Sequence, residues 1–157
     1  MYDFDSVYLS QRKYIGDLLA KVDMLNCKGI DTPMSSRKDY RLQKNVEEEM
    51  SYYIENPSHY RSIVGGLQYL ILTRPEIAYS VHKLSQYVAS PILQHLMACK
   101  RVLRYLKETQ DYGLKFVKEG ELKVTAFTDA DWGTDLDDRR STGAYCVYLG
   151  NNLILWS

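Results

Sequence analysis

Gly143-Ala-Tyr-Cys-Val-Tyr-Leu-Gly-Asn-Asn-Leu-Ile-Leu-Trp156 is the stretch that decides the C-terminal fold. A run rich in aromatic and β-branched residues, Gly143 to Leu149, meets Gly150-Asn151-Asn152, and a second apolar run follows, Leu153 to Trp156. Such residues favour a pleated surface and Gly-Asn suits a tight loop, so the pattern predicts a β-hairpin. Working backwards, Leu122 to Asp129 and Tyr112 to Val117 read as two more strands around a turn at Glu119-Gly120. Together they predict an antiparallel ladder.

Upstream of Tyr112 the apolar period is helical. Ile92, Leu96, Cys99, Leu103 and Leu106 share one face of a helix that begins at Ser90-Pro91 and ends near Thr109. Before it, Thr73-Arg-Pro-Glu76 has capping-box spacing with proline in the first turn, and Ile77, Val81, Leu84 and Val88 form the core face. A third helix covers Ser58 to Leu72, where Gly65-Gly66 points to close approach of another backbone. Near the start, Ser6 to Leu9 reads as a strand. Ser10 then caps a helix carrying Tyr14, Leu18, Val22 and Leu25. Asn26 to about Asn56, with Pro33 and Glu47-Glu48-Glu49, breaks any rhythm and reads as a long connecting segment with room for one edge strand.

The bulk numbers narrow the function. The chain has 157 residues, 45% hydrophobic and 25% charged, a globular composition able to bury one ordinary core. Twenty Lys and Arg balance twenty Asp and Glu, which argues against a freely acting nucleic-acid binder but leaves room for a local basic face. Cys27, Cys99 and Cys146 lack ligand or redox spacing and read as buried free thiols in a reducing, intracellular compartment. There is no signal-peptide pattern and no membrane-length apolar run, so no membrane partner is expected. No phosphate loop is present, since Gly65-Gly66 lies inside a helix pattern, and no small-molecule substrate is expected.

Two clusters carry candidate chemistry. Asp129, Asp131, Asp135, Asp137 and Asp138 put five carboxylates into ten residues after a strand, and hard divalent cations want oxygen ligands. Asp135, Asp137 and Asp138 adjoin Arg139-Arg140 and read as a solvated turn. The second cluster is Lys100, Arg101, Arg104 and Lys107 on the last helix. The residues leave two readings open: a face that tracks a phosphate backbone, or a solvated face whose long side chains cover the core edge. His59, His82 and His95 lack paired spacing and read as surface or capping residues.

Seven segments in order carry a family resemblance: Leu9-Ser-Gln-Arg-Lys-Tyr14, Thr32-Pro-Met34, Tyr60-Arg-Ser-Ile-Val-Gly-Gly-Leu-Gln-Tyr-Leu70, Thr73-Arg-Pro-Glu-Ile-Ala-Tyr79, Lys100-Arg-Val-Leu-Arg-Tyr-Leu106, Asp111-Tyr-Gly-Leu114 and the acidic stretch from Phe127. The chain resembles the end of the reverse transcriptase and the start of the ribonuclease H domain of copia-type retrotransposon Pol polyproteins. The resemblance implies an α+β fold, with thumb and connection helices followed by an incomplete antiparallel ribonuclease H-like sheet. It divides the chain into a thumb-like end (1–26), a connecting segment (27–57), connection helices (58–110) and a truncated ribonuclease H-like domain (111–157).

By the same resemblance Asp129, followed by Ala130, is the first catalytic carboxylate and a magnesium ligand, while Asp131 belongs to the pattern without needing to touch metal. Lys100, Arg101, Arg104 and Lys107 become contacts to RNA–DNA hybrid or DNA. The polymerase aspartates would precede Met1 and the remaining nuclease carboxylates would follow Ser157. The expectation is therefore a catalytically incomplete piece that binds no magnesium alone. The alternatives are a non-catalytic nucleic-acid-binding module and a functionless relic. Ser141-Thr-Gly-Ala-Tyr145 and Leu106-Lys-Glu-Thr109 depart modestly from the family's wording.

Overall fold

A computed structural model describes residues 5–35, 54–118, 122–130 and 143–157. They form strand β1 (Ser6–Leu9), helices α1 (Arg12–Lys21), α2 (Pro57–Leu70), α3 (Ala78–Ser85) and α4 (Leu93–Glu108), and strands β2 (Leu114–Val117), β3 (Val124–Ala130), β4 (Gly143–Leu149) and β5 (Asn152–Trp156). A 3₁₀ turn, Pro75–Ile77, leads into α3. The chain separates into two compact units, one spanning residues 11–112 and the other the residues up to Ser10 and from Gly113 onward.

The helical unit buries one apolar cluster drawn from all four helices, including Ile15, Leu19, Ile63, Leu67, Val81, Leu84, Val102 and Leu103. Residues at helical spacing reach this core because each helix turns a stripe of its surface toward the others. The second and third apolar stripes fall as the periodicity predicts. The first is rotated: Ile15, Leu18 and Leu19 are buried, whereas Leu25 lies beyond the helix and is exposed. Of the three cysteines expected to be buried, Cys99 is, while Cys27 and Cys146 are half-buried.

The helix starts depart from expectation. Gln11, not Ser10, occupies the N-cap of α1, and its side chain turns away to accept the Thr73 hydroxyl at 2.6 Å. Asn56 caps α2, its Oδ1 accepting from the Ser58 and His59 amides with Pro57 at the first position. The capping box at Thr73 does not form, because Glu76 pairs instead with Arg74 at 2.6 Å. At α4, His95 Nδ1 accepts from the Ile92 amide at 3.1 Å, so a buried imidazole satisfies a donor at the helix start.

Gly66 is the glycine whose missing side chain matters in α2. A Cβ there would press on the Leu18 side chain, and its carbonyl accepts from Tyr14 Oη at 3.3 Å. Its neighbour Gly65 meets nothing, so the close approach is to side chains of α1 rather than to another backbone.

The strand unit holds two antiparallel sheets, β1-β2 and β3-β4-β5. The expected single ladder is corrected here: β2 pairs with β1, Leu9 opposite Leu114, and not with β3, while the expected turn at Glu119-Gly120 lies outside the described residues. Gly113 makes that pairing possible, since a Cβ there would collide with the Leu9 carbonyl. The β4-β5 hairpin turns through Gly150-Asn151, Leu149 facing Asn152, with an irregularity at Val147/Tyr148. Asn152 also bridges the sheets: its Oδ1 accepts from the Val117 amide at 2.7 Å and its Nδ2 donates to the Val117 carbonyl at 2.9 Å. A side-chain amide there reproduces the donor and acceptor pair of a strand neighbour.

Candidate functional site

Asp129 lies one residue from the end of β3, opposite Ala144 of β4, and is exposed. Its Oδ1 accepts from the Ala130 amide at 2.9 Å. Asp131, Asp135, Asp137 and Asp138 fall outside the described residues. Among the described residues no three His, Cys, Asp or Glu side chains converge as a metal cage would require.

The cationic helix face resolves into two kinds of residue. The half-buried Arg101 and Arg104 reach onto the segment after α1: Arg101 Nη2 donates to Thr32 Oγ1 at 2.6 Å, and Arg104 Nε donates to the Lys28 carbonyl at 2.7 Å. Lys100 is exposed and Lys107 half-buried on the same helix. A cleft of about 360 Å³ between α4 and this segment brings Lys100, Arg101 and Arg104 together beside Met24, Met97 and Ser35. Lys107 does not line it. The links to Thr32 and Lys28 span 69 and 76 residues, beyond any local spacing rule.

Arg74 is a second group that spacing missed. It is fully buried, yet every contact answers its charge: Nε to Glu76 Oε1, Nη1 to the Thr109 carbonyl at 3.0 Å, Nη2 to Thr109 Oγ1 at 2.5 Å. Tyr105 and Tyr112 place their rings 5.6 Å from its guanidinium. The Arg74 fork thus closes the C-terminal end of α4, where free carbonyls attract cations. Beside it Arg12 pairs with Asp111 at 2.6 Å.

A third buried polar group lies between α2, α3 and α4. Tyr60 Oη donates to the Leu84 carbonyl at 2.6 Å, and His95 stacks on Tyr87 at 3.9 Å. Burial pushes the Cys99 thiol up to about 12, opposed by its bond to Tyr60, and raises the Tyr60 phenol as well. Thiol and phenol held neutral in this way are core groups rather than nucleophiles.

Fold and site together define a mixed α and β chain whose described residues form four helices, two small antiparallel sheets and a cation-lined cleft on α4. The chain is 44% and 45% identical over 151 residues to the retrovirus-related Pol polyproteins from transposons RE1 and RE2 of Arabidopsis thaliana, 96% of this chain in each case. It is 43% identical over 151 residues to an uncharacterized mitochondrial protein of the same plant, 96% of this chain and 60% of that one. It spans about a tenth of the length of the two Pol polyproteins. No family model and no solved structure matches it. The chain belongs to the retrovirus-related Pol polyproteins of copia-type transposons. Among the described residues no helix is long and apolar enough to cross a membrane.

Proposed function

We propose that this chain is the part of a Pol polyprotein in which reverse transcriptase passes into ribonuclease H. In a whole polyprotein of this kind the activity is RNA-directed DNA synthesis with hydrolysis of the RNA strand of the hybrid, inside the cell. Residues 1–26 and 58–110 are the thumb-like and connection helices of this reading, and residues 111–157 the opening of the nuclease domain. The observation that carries it is Asp129 near the end of β3, the first strand of an antiparallel β3-β4-β5 sheet, in a chain of this family.

Asp129 is the carboxylate that would ligate magnesium, which supplies charge neutralisation and an activated water when bound. Two ions about 4 Å apart need several converging carboxylates. The described residues offer Asp129, one of whose oxygens already accepts from Ala130. That set does not fit two ions, and no step is assigned to them. The chain alone is proposed to be catalytically incomplete.

A second reading, a module that holds nucleic acid without cutting it, is favoured by Lys100, Arg101 and Arg104 around one cleft. The two separate cleanly in one assay. Purified chain with magnesium is expected to release no fragments from a labelled RNA–DNA hybrid while retarding a labelled single strand at low salt. Fragment release abolished by Asp129→Asn would overturn incompleteness. Absence of both release and retardation would remove nucleic-acid contact from either reading.

A further inference from the structure

Thr32-Pro-Met34 plays no part in carboxylate chemistry, yet Thr32 is where the connecting segment meets the cationic helix. Among the described residues the cleft beside it is lined by three cations and no carboxylate. Two of those cations are held in place. An arginine has five N–H donors in a rigid fork, so the single bond from Arg101 to Thr32, and that from Arg104 to the Lys28 carbonyl, fixes each guanidinium while sparing most of its donors. Arg101 Nε is moreover buried without a hydrogen-bond partner among the described residues. A buried N–H left unpaired is costly, which marks Arg101 as a group short of an acceptor.

We infer that this cleft is a preset phosphate site, with Thr32 as its positioning residue and a phosphodiester of single-stranded nucleic acid as its ligand. The inference rests on the nucleic-acid reading above and adds to it the place, the strand state and the device. Three cations whose described neighbours in the cleft include no acid favour an anion, and planar guanidinium forks match phosphate oxygens. At about 360 Å³ the cleft lies near the small end of ligand sites, room for one phosphate and its sugar rather than for a duplex. Among the described lining residues Met24 and Met97 offer an apolar surface and none offers an aromatic ring, so contact is independent of base identity. A neighbouring cleft that Arg101 also lines carries Asp31 and Glu108 beside Lys28, a mixed lining less suited to an anion. Preorganisation lowers the cost of ordering two long side chains on binding. Thr32 therefore acts on affinity without touching the ligand.

The test is fluorescence anisotropy with a short labelled oligothymidylate. One phosphate neutralised, at about −0.7 per phosphate of a single strand, predicts a slope of about −0.7 for log affinity against log salt. Thr32→Val, which keeps every cation, is expected to weaken binding by about fivefold to tenfold, the net worth of one ordinary hydrogen bond. Thr32→Ser restores it. Thr32 is exposed, so unfolding temperatures of all three proteins should coincide. Wild-type affinity in Thr32→Val overturns the inference and leaves the nucleic-acid reading standing. No binding by wild type at low salt overturns both. Displacement of the oligonucleotide by inorganic phosphate at equal concentration would make this a free-phosphate site and overturn the strand assignment.

Discussion

The helical unit and the strand unit of this chain spend their apolar residues differently. In the helical unit, Ile15, Leu19, Leu67, Leu84, Val102 and Leu103 are removed from solvent by one another. In the three-stranded sheet, Val124 is 66%, Phe127 60% and Leu155 52% exposed. The pairing register puts Phe127, Cys146 and Tyr148 on one face and Val124, Val147 and Leu155 on the other, so both faces are apolar. A sheet with one wet face alternates apolar and polar residues; one with two apolar faces belongs to a layered fold covered on both sides. Stability of this chain is therefore concentrated in the helices, and the acidic strand end belongs to the less buried unit.

The sharpest way to break that contrast is the same deletion in each unit. Leu103→Ala should cost about 2–5 kcal/mol by urea unfolding, the range for buried leucines. Leu155→Ala should stay within about 0.5 kcal/mol, as exposed positions do. Equal losses would contradict the contrast. Next in size is Arg74→Met, which removes the guanidinium donors to Glu76 and to the Thr109 carbonyl and hydroxyl, the carbonyl keeping the Tyr112 amide. Its expected cost is about 1.5–3 kcal/mol, the worth of a hydrogen bond to a charged group.

High pH sharpens the comparison through Cys99. Its ordinary value is 9.0 and burial holds it near 12 in the folded chain. The protonated form is favoured by folding, so its contribution is fully present below pH 9.0 and is lost as pH rises toward 12. Unfolding under reducing conditions should show stability falling across that window, and Cys99→Val should flatten the fall. Tyr60, raised by the same burial, shifts in the same direction. A smaller effect than that of Arg74→Met is expected for His95→Leu, where loss of the cap on the Ile92 amide should cost about 1 kcal/mol.

Most helix faces were legible because an apolar residue every three or four positions has one geometric solution. The strands from Gly143 onward were legible from composition and a two-residue turn. Pairing was not. Nothing in Ser6 to Leu9 names Leu114 to Val117 as its partner, since a ladder across a hundred residues leaves no periodic trace in either strand. Thr73-Arg-Pro-Glu76 shows how a local motif misleads: the spacing fits a capping box, but the buried guanidinium between its ends takes the carboxylate. The cationic site was half legible. Lys100, Arg101 and Arg104 share a helix flank by spacing, whereas Thr32 and Lys28, which hold the arginines, are joined to them only by the fold. Asp129 was legible as a strand-end carboxylate, and its bond to Ala130 was not.

Native-state hydrogen exchange read by mass spectrometry tests the division between the two units most directly. Amides of α2 and α4, enclosed by the helical core, are expected to exchange only at the rate set by global unfolding, and those of β3 to β5 orders of magnitude faster. Equal, global protection of β3 to β5 would contradict the account: the sheet would then be closed by contacts of its own, and the strand end bearing Asp129 would stand on a rigid platform.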